Sequence, residues 1–275
     1  MTRAALVASF SAPTASYAQT DFYNTDRGRP IQIEDAYATE RKAFELKLAP
    51  VRLQRTKGGV YSWNLQPEIA YGILPRTQIE ISAPLTFREI GAEHRTGLTG
   101  LEFSVFHNFN VETATLPALA LRADVLAPIG NLATEHVYST LTAIGTRTYR
   151  LARFHVNGQY TFGSAPTSRF SEPKAGTEFG VLEASRWLAG IAVDKTYPLH
   201  STLFTGEFYG RKPITFANTT SALEYTAGTG VRFQLNPTLA LDSGIGRHLN
   251  GAEQGWYVTF GSAYSFSIKS LFPGK

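Results

Sequence analysis

The sequence predicts an all-β fold, an antiparallel up-and-down transmembrane β-barrel of about twelve strands, with short periplasmic turns and longer external loops. Three observations predict it. Apolar and polar residues alternate with a period of two along most of the chain, as they do where one face of a strand is buried or lipid-facing and the other is wet. The connections between these stretches alternate between short and long, an arrangement expected of outer-membrane barrels and not of Greek-key sandwiches. The 275 residues are 43% hydrophobic, 12% aromatic and only 17% charged, with 24 glycines. Soluble globular domains carry about 25% charged residues.

The elements follow in order. Residues 1–18 place Arg3 before an apolar stretch from Ala4 to Ala12, then Pro13 and the small residues flanking Tyr17. They read as a secretory signal peptide cut before Gln19, in preference to a flexible N-terminus. Beyond Ala18 no run of about 18 apolar residues exists, so no transmembrane helix is expected. Residues 19–41 are charged and unpatterned. Two readings stay open for them: a solvated periplasmic segment, which the charge favours, and a partial plug folded into the lumen.

Residues 42–268 form the barrel. Phe44, Leu46 and Leu48 are in phase, but Val51 and Leu53 are not, and Pro50 at the shift predicts a bulge or bend. Tyr61 to Ile73 and Ile79 to Phe87 alternate on either side of the turn at Leu74-Pro75-Arg76-Thr77. The pattern recurs over Leu101–Asn110, Leu119–Ile129, Arg153–Phe162, Glu224–Leu235 and Leu239–Gly246. Phe179–Tyr197 holds one strand, with Trp187, Ala189, Ile191 and Val193 on its apolar side. Val137–Tyr149 and Ser201–Arg211 are strands whose outward face the sequence leaves open. The last strand, Trp256–Phe266, carries Val258, Phe260, Tyr264 and Phe266 on one face and closes the barrel against the first near Phe44 to Leu53. Residues 269–275 are a tail.

The polar face carries Glu68, Glu80, Arg88, Glu102, Arg122, Asp124, His155, Arg186, Asp194, Glu207, Glu224, Arg232 and Asp242. In a barrel these are lumen-facing. The apolar face places aromatics near strand ends. Phe154 and Phe162, and Tyr225 and Phe233, lie eight positions apart, roughly 26 Å along a strand. Tilt shortens that to roughly 20 Å, near the ~25 Å apolar band of such barrels. With Trp63 and Trp187 they form the expected aromatic girdle. Lipid offers no hydrogen-bond partners, so strands facing it must close. Outer-membrane lipids are thus a partner of this surface.

Tyr264-Ser265-Phe266, with Phe260 upstream, resembles the terminal signal that barrel-assembly machinery reads in bacterial outer-membrane proteins. It departs from that pattern because nine residues follow, and Phe272 is a second candidate end. "TDRGRPIQIEDAYATERKAFELKLAP", "EIAYGILPRTQIEISAPL" and "VFHNFNVE" resemble the outer-membrane transporters grouped as the phenol-degradation meta-pathway family. That resemblance implies an outer-membrane channel or transporter for small molecules, hydrophobic or aromatic compounds among them.

Other functions find little support. The net charge of +4 is scattered, with no polybasic run, so nucleic acid is not an expected partner. There is no cysteine, which removes disulfides and thiolate sites. His107 falls on the outward face with no serine partner for a lipase-like triad. His94, His136, His155, His200 and His248 lack metal-ligand spacing. No cofactor and no enzymatic activity are expected. "GTGVRF" and "GIGRHLNG" look like phosphate loops only superficially, because strand glycines relieve crowding or allow bends. Mixed charges inside a narrow barrel either pair and fill it or line an aqueous path. A passive channel is the favoured function, and a structural or adhesive barrel without a pore is the alternative.

Overall fold

A computed structural model describes residues 24–90, 92–166, 184–196, 201–214, 222–251 and 254–268. The expected signal peptide, much of the connection after Phe162 and the tail at 269–275 lie outside the described residues.

Fifteen antiparallel strand segments close into one barrel of twelve staves. The first stave is β1 (Phe44–Thr56). The next three are each built from two segments: β2 (Tyr61–Leu65) with β3 (Glu68–Leu74), β4 (Thr77–Ser82) with β5 (Leu85–Ile90), and β6 (Glu93–Leu98) with β7 (Leu101–Asn110). Pro67, Pro84 and Gly100 stand at these breaks. Proline cannot donate to a ladder, and glycine weakens a strand interior. The remaining eight staves are uninterrupted: β8 (Ala118–Ala127), β9 (Tyr138–Thr148), β10 (Arg153–Phe162), β11 (Ser185–Thr196), β12 (Thr202–Pro213), β13 (Glu224–Asn236), β14 (Leu239–His248) and β15 (Gly255–Phe266).

Each stave pairs with the next, the segment β6 through β5 alone, and β15 returns to β1, from Phe44 opposite Phe266 to Thr56 opposite Gly255. Among the described residues no stave is left as an unpaired edge, which is the condition for crossing lipid with strands. The β1–β15 register shifts between Leu48 and Pro50, where the hydrophobic phase of the sequence shifts.

The alternation sorts the side chains. Outward positions are apolar and exposed around the whole circumference, among them Leu48, Ile81, Val105, Leu121, Val156, Ile191, Phe208, Ile245 and Phe260. Aromatics gather at both rims. At the short-turn end Phe44 stacks on Tyr71 and on Phe266, with ring centroids 4.6 and 5.5 Å apart. At the long-loop end Trp63 stacks on Phe87 at 5.6 Å, and Arg247 lies 5.2 Å over Trp256.

β9 and β12, whose faces the sequence left open, are explained by the interior. Leu141 and Phe204 point outward, but Tyr138, Ile144, Leu203 and Tyr209 are buried on the inward side. Apolar residues on both parities erase the period-two signal.

Candidate functional site

The lumen is occupied by the chain's own N-terminal segment. Residues 24–41 make no strand; they follow the inner wall. Lys42 N donates to Gly72 O at 2.7 Å, and Thr39 N donates to Gln78. Asn108 Nδ2 donates to Ala36 O at 2.6 Å, and Ala36 N donates to Thr146 Oγ1 at 2.9 Å. Asn157 and Glu34 bond reciprocally at 2.8 and 2.9 Å. The Glu207 carboxylate accepts from the backbone N–H groups of Gln32 and Ile33, at 2.7 and 3.1 Å. Thr259 Oγ1 donates to Pro30 O at 3.0 Å. The segment thus visits the staves in turn around the barrel. Thr25 then returns to Asp35 through Asp35 N to Thr25 O at 3.1 Å, and Thr25 N to Asp35 Oδ2 at 3.0 Å.

Two apolar contacts anchor this path. Ile31 and Ile33 pack with Leu188, Ala192 and Tyr209. Ala36 packs with Phe106, Ala118, Ala120 and Ile144. Close approach needs small wall residues. A Cβ on Gly230 would lie 2.6 Å from Pro30 Cβ, and one on Gly244 would lie 2.5 Å from Pro30 O. These glycines belong to the runs that superficially resemble phosphate loops, and here they make room for the segment.

Charge holds the rest. Arg27 pairs with Asp124 at 3.0 Å and with Glu102. Arg122 pairs with Asp124 at 2.9 Å, with Glu34 at 3.3 Å and with Glu80. Lys47 reaches Glu68 at 2.7 Å and Asp26 at 3.0 Å. Asp26 also meets Arg29, and Arg232 at 3.1 Å; Arg29 in turn meets Asp242 at 3.3 Å. A third group joins Arg153 and His155 to Asp194, each at 2.8 Å, with Asp35 3.8 Å from Arg153. Burial costs ions hydration, so such charges persist only in networks. Burial lifts the Asp35 carboxyl to about 6, against the pull of Arg153. Asp26 is also buried, yet Lys47, Arg29 and Arg232 together hold it well below its ordinary value.

The thirteen predicted lumen positions divide as follows. Glu80, Arg88, Arg122, Asp124, His155, Asp194, Glu207, Glu224, Arg232 and Asp242 are buried, while Glu68 and Glu102 are half-buried within the same networks. Glu224 pairs with Arg211 at 3.0 Å. Arg186 differs: it lies where the β11–β12 register shifts, and donates to Thr161 O and Gly163 O at the rim, at 2.8 and 2.9 Å. The six girdle residues Trp63, Phe154, Phe162, Trp187, Tyr225 and Phe233 are on outward positions, as are Phe260, Tyr264 and Phe266. Outward-facing His107 sits 2.9 Å from Thr77 Oγ1.

A solvated tail is not what residues 24–41 form, since Arg29, Ile33 and Ala36 are at most 1% exposed. Sequence reasoning missed Asp26, Arg27, Arg29, Glu34 and Asp35 as interior residues, and Lys47 and Glu45 on β1. For the last two a signal existed, because they alternate with Phe44, Leu46 and Leu48.

Toward the long-loop end the segment floors a vestibule of about 200 Å³, with Arg27, Gly28, Pro30 and Gln32 below and Tyr138, Thr140, Gln159, Tyr209 and Tyr257 around it. Arg52 lies 4.0 Å over the Tyr257 ring, and Tyr257 Oη donates to Glu207 at 3.3 Å.

No protein-family model matches the chain, and no curated protein matches it in sequence. Among solved structures it is similar to an outer membrane channel from Pseudomonas putida F1, with a TM-score of 0.56 and 13% identity over 84% of this chain and 98% of that one. It is also similar to KdgM porin in complex with disordered oligogalacturonate, with a TM-score of 0.50 and 10% identity over 82% of this chain and 99% of that one. The fold is that of a bacterial outer-membrane β-barrel, shared with channels and porins, and its apolar belt sets it in lipid.

Proposed function

We propose that this barrel is a passive outer-membrane channel for small molecules, with hydrophobic or aromatic compounds as its solutes. The observation that carries the reading is the vestibule above a floor made of the inserted segment, which is held by hydrogen bonds, ion pairs and small apolar contacts and not by a ladder. A concave site with a few convergent polar groups is the usual form of a small-molecule site. Tyr138, Tyr209 and Tyr257 lend it aromatic walls, while Thr140 and Gln159 bring hydroxyl and amide groups to the same lining. The resemblance to transporters of the phenol-degradation type points to the same solutes. Residues 1–18 direct export in this reading. The outward Phe260, Tyr264 and Phe266 are what the barrel-assembly machinery reads.

Liposome swelling with sugars and with aromatic acids tests the solute class, comparing the full chain with a variant lacking residues 20–40. Uptake of aromatic acids by the full chain, faster in the deletion variant, is the expected result. Both barrels should keep heat-modifiable migration on a gel. The bonds from wall to wall through the segment favour a second reading, a closed structural barrel. Its mark is silence of the full chain, with conductance appearing only when residues 20–40 are deleted.

A further inference from the structure

The conducting route past the inserted segment can be read from buried polar atoms. In native proteins such atoms are almost always satisfied, by water where no protein group reaches them. Among those without a hydrogen-bond partner in the protein are Thr142 Oγ1, Glu34 Oε1, Thr25 Oγ1 and Thr205 Oγ1. All four residues are at most 4% exposed.

The fold places these four in succession. Thr140 lines the vestibule, and Thr142 is the next inward position on β9 toward the short-turn end. In register, Thr142 stands between Arg122 and Gln159. Arg122 Nη1 donates to Glu34 Oε2 at 3.3 Å, leaving Oε1 unpartnered. Glu34 precedes Asp35, whose N–H donates to Thr25 O. Asp35 leads through Arg153 to Asp194, and Thr205 stands opposite Asp194, close to where β12 begins at the short-turn mouth.

The charges along the upper part of this line are unequal. Arg27, Arg122 and Lys47 face the carboxylates of Glu34, Glu68, Glu80, Glu102 and Asp124. Carboxyl groups thus outnumber cations five to three along this line, and one buried carboxyl oxygen among them, Glu34 Oε1, has no hydrogen-bond partner in the protein. In a narrow water-filled passage, lining carboxylates favour cations.

Resting on the channel reading above, we propose that a hydrated path runs from the vestibule past Thr142, Glu34, Thr25 and Thr205 to the short-turn mouth, and that the Glu34 carboxylate makes it cation-selective. Burial, opposed by Arg122 and Arg27 and reinforced by Asp124 and Glu80, lifts the Glu34 carboxyl to about 7. The selectivity should therefore strengthen as pH rises through neutrality.

The test is reversal potential in planar bilayers under a potassium chloride gradient, with heat-modifiable migration checking that each variant is folded. The wild-type barrel should favour potassium over chloride. Glu34→Gln should lower that preference by about threefold or more and remove its dependence on pH. Glu34→Asp should retain the preference, and Thr142→Val should lower conductance. Glu89→Gln, on the exposed rim, should leave the preference unchanged. A conducting barrel whose reversal potential is the same in Glu34→Gln, or equally altered in Glu89→Gln, overturns this inference and leaves the channel reading standing. A wild-type barrel that never conducts overturns both.

Discussion

In the wall, β1 and β15 pair through their backbones along their whole length, interrupted only by the shift at Leu48–Pro50. Residues 24–41 reach the same wall mainly through side chains: Glu207 on two N–H groups, Asn157 on one residue's N–H and carbonyl, and Arg122 and Asp242 on the segment's charges. A ladder is cooperative and closed, so no stave leaves alone. Side-chain bonds and ion pairs are local and exchange with water, so a segment held by them can be loosened without opening the barrel. The difference teaches where change is tolerated in this molecule.

The sharpest way to break that comparison is at Arg122, which belongs to the wall and yet holds the segment. Arg122→Met leaves Glu34, Glu80 and Asp124 without this shared cation. Removing one partner of a buried ion pair costs about 3–5 kcal/mol. The expected outcome is faster proteolysis within residues 24–41 at an unchanged oligomer or monomer position on the gel, together with barrel unfolding at lower urea. If the barrel loses stability while the segment stays protected, the two regions are not separable.

Ile191→Lys probes the wall alone. Ile191 is 56% exposed on the outward face of β11, away from the segment. A lysine on the lipid face near the midplane costs about 2–4 kcal/mol. Folding in lipid vesicles should be impaired by that amount, while in the folded fraction residues 24–41 remain as protected as in the wild type. Matched loss of both would mean that the wall's outer face and the segment are coupled.

The same contrast explains what the sequence disclosed. Lipid outside and polar groups inside impose a period of two on β10, from Phe154 to Phe162, and on β15, from Trp256 to Phe266, so strands, closure and the bulge at Pro50 were legible. The period fails on β9 and β12, because Ile144 and Tyr209 face inward against Ala36, Ile31 and Ile33. The segment itself has no period, since its bonds run outward to many staves. Its charges look like those of a solvated tail because their partners, such as Asp242 for Arg29, lie far along the chain. Only the spatial sum of the two lists of charges reveals that they belong together.

The smallest effect is a pH dependence of the segment's hold. Glu34 and Asp35 are lifted by burial to about 7 and about 6, so the inserted form binds protons that a released segment would give up. Their contribution is fully present below the ordinary carboxyl range and is lost as pH rises through 6 and then 7. Asp26 has the opposite sign: its carboxyl is held well below the ordinary 3.8, so its contribution persists above that value and is lost only in stronger acid. The segment should therefore be held best in mild acid, and cleavage within residues 24–41 should be faster at pH 8 than at pH 5.5 for a protease whose own activity is normalised on an unfolded substrate. The double variant Glu34→Gln, Asp35→Asn should abolish the difference, with the wall's urea resistance unmoved. Were cleavage equally slow at both values in the wild type, neither carboxyl would be changing its charge over that range while inserted, and the networks around Arg122 and Arg153 would be holding both in one state.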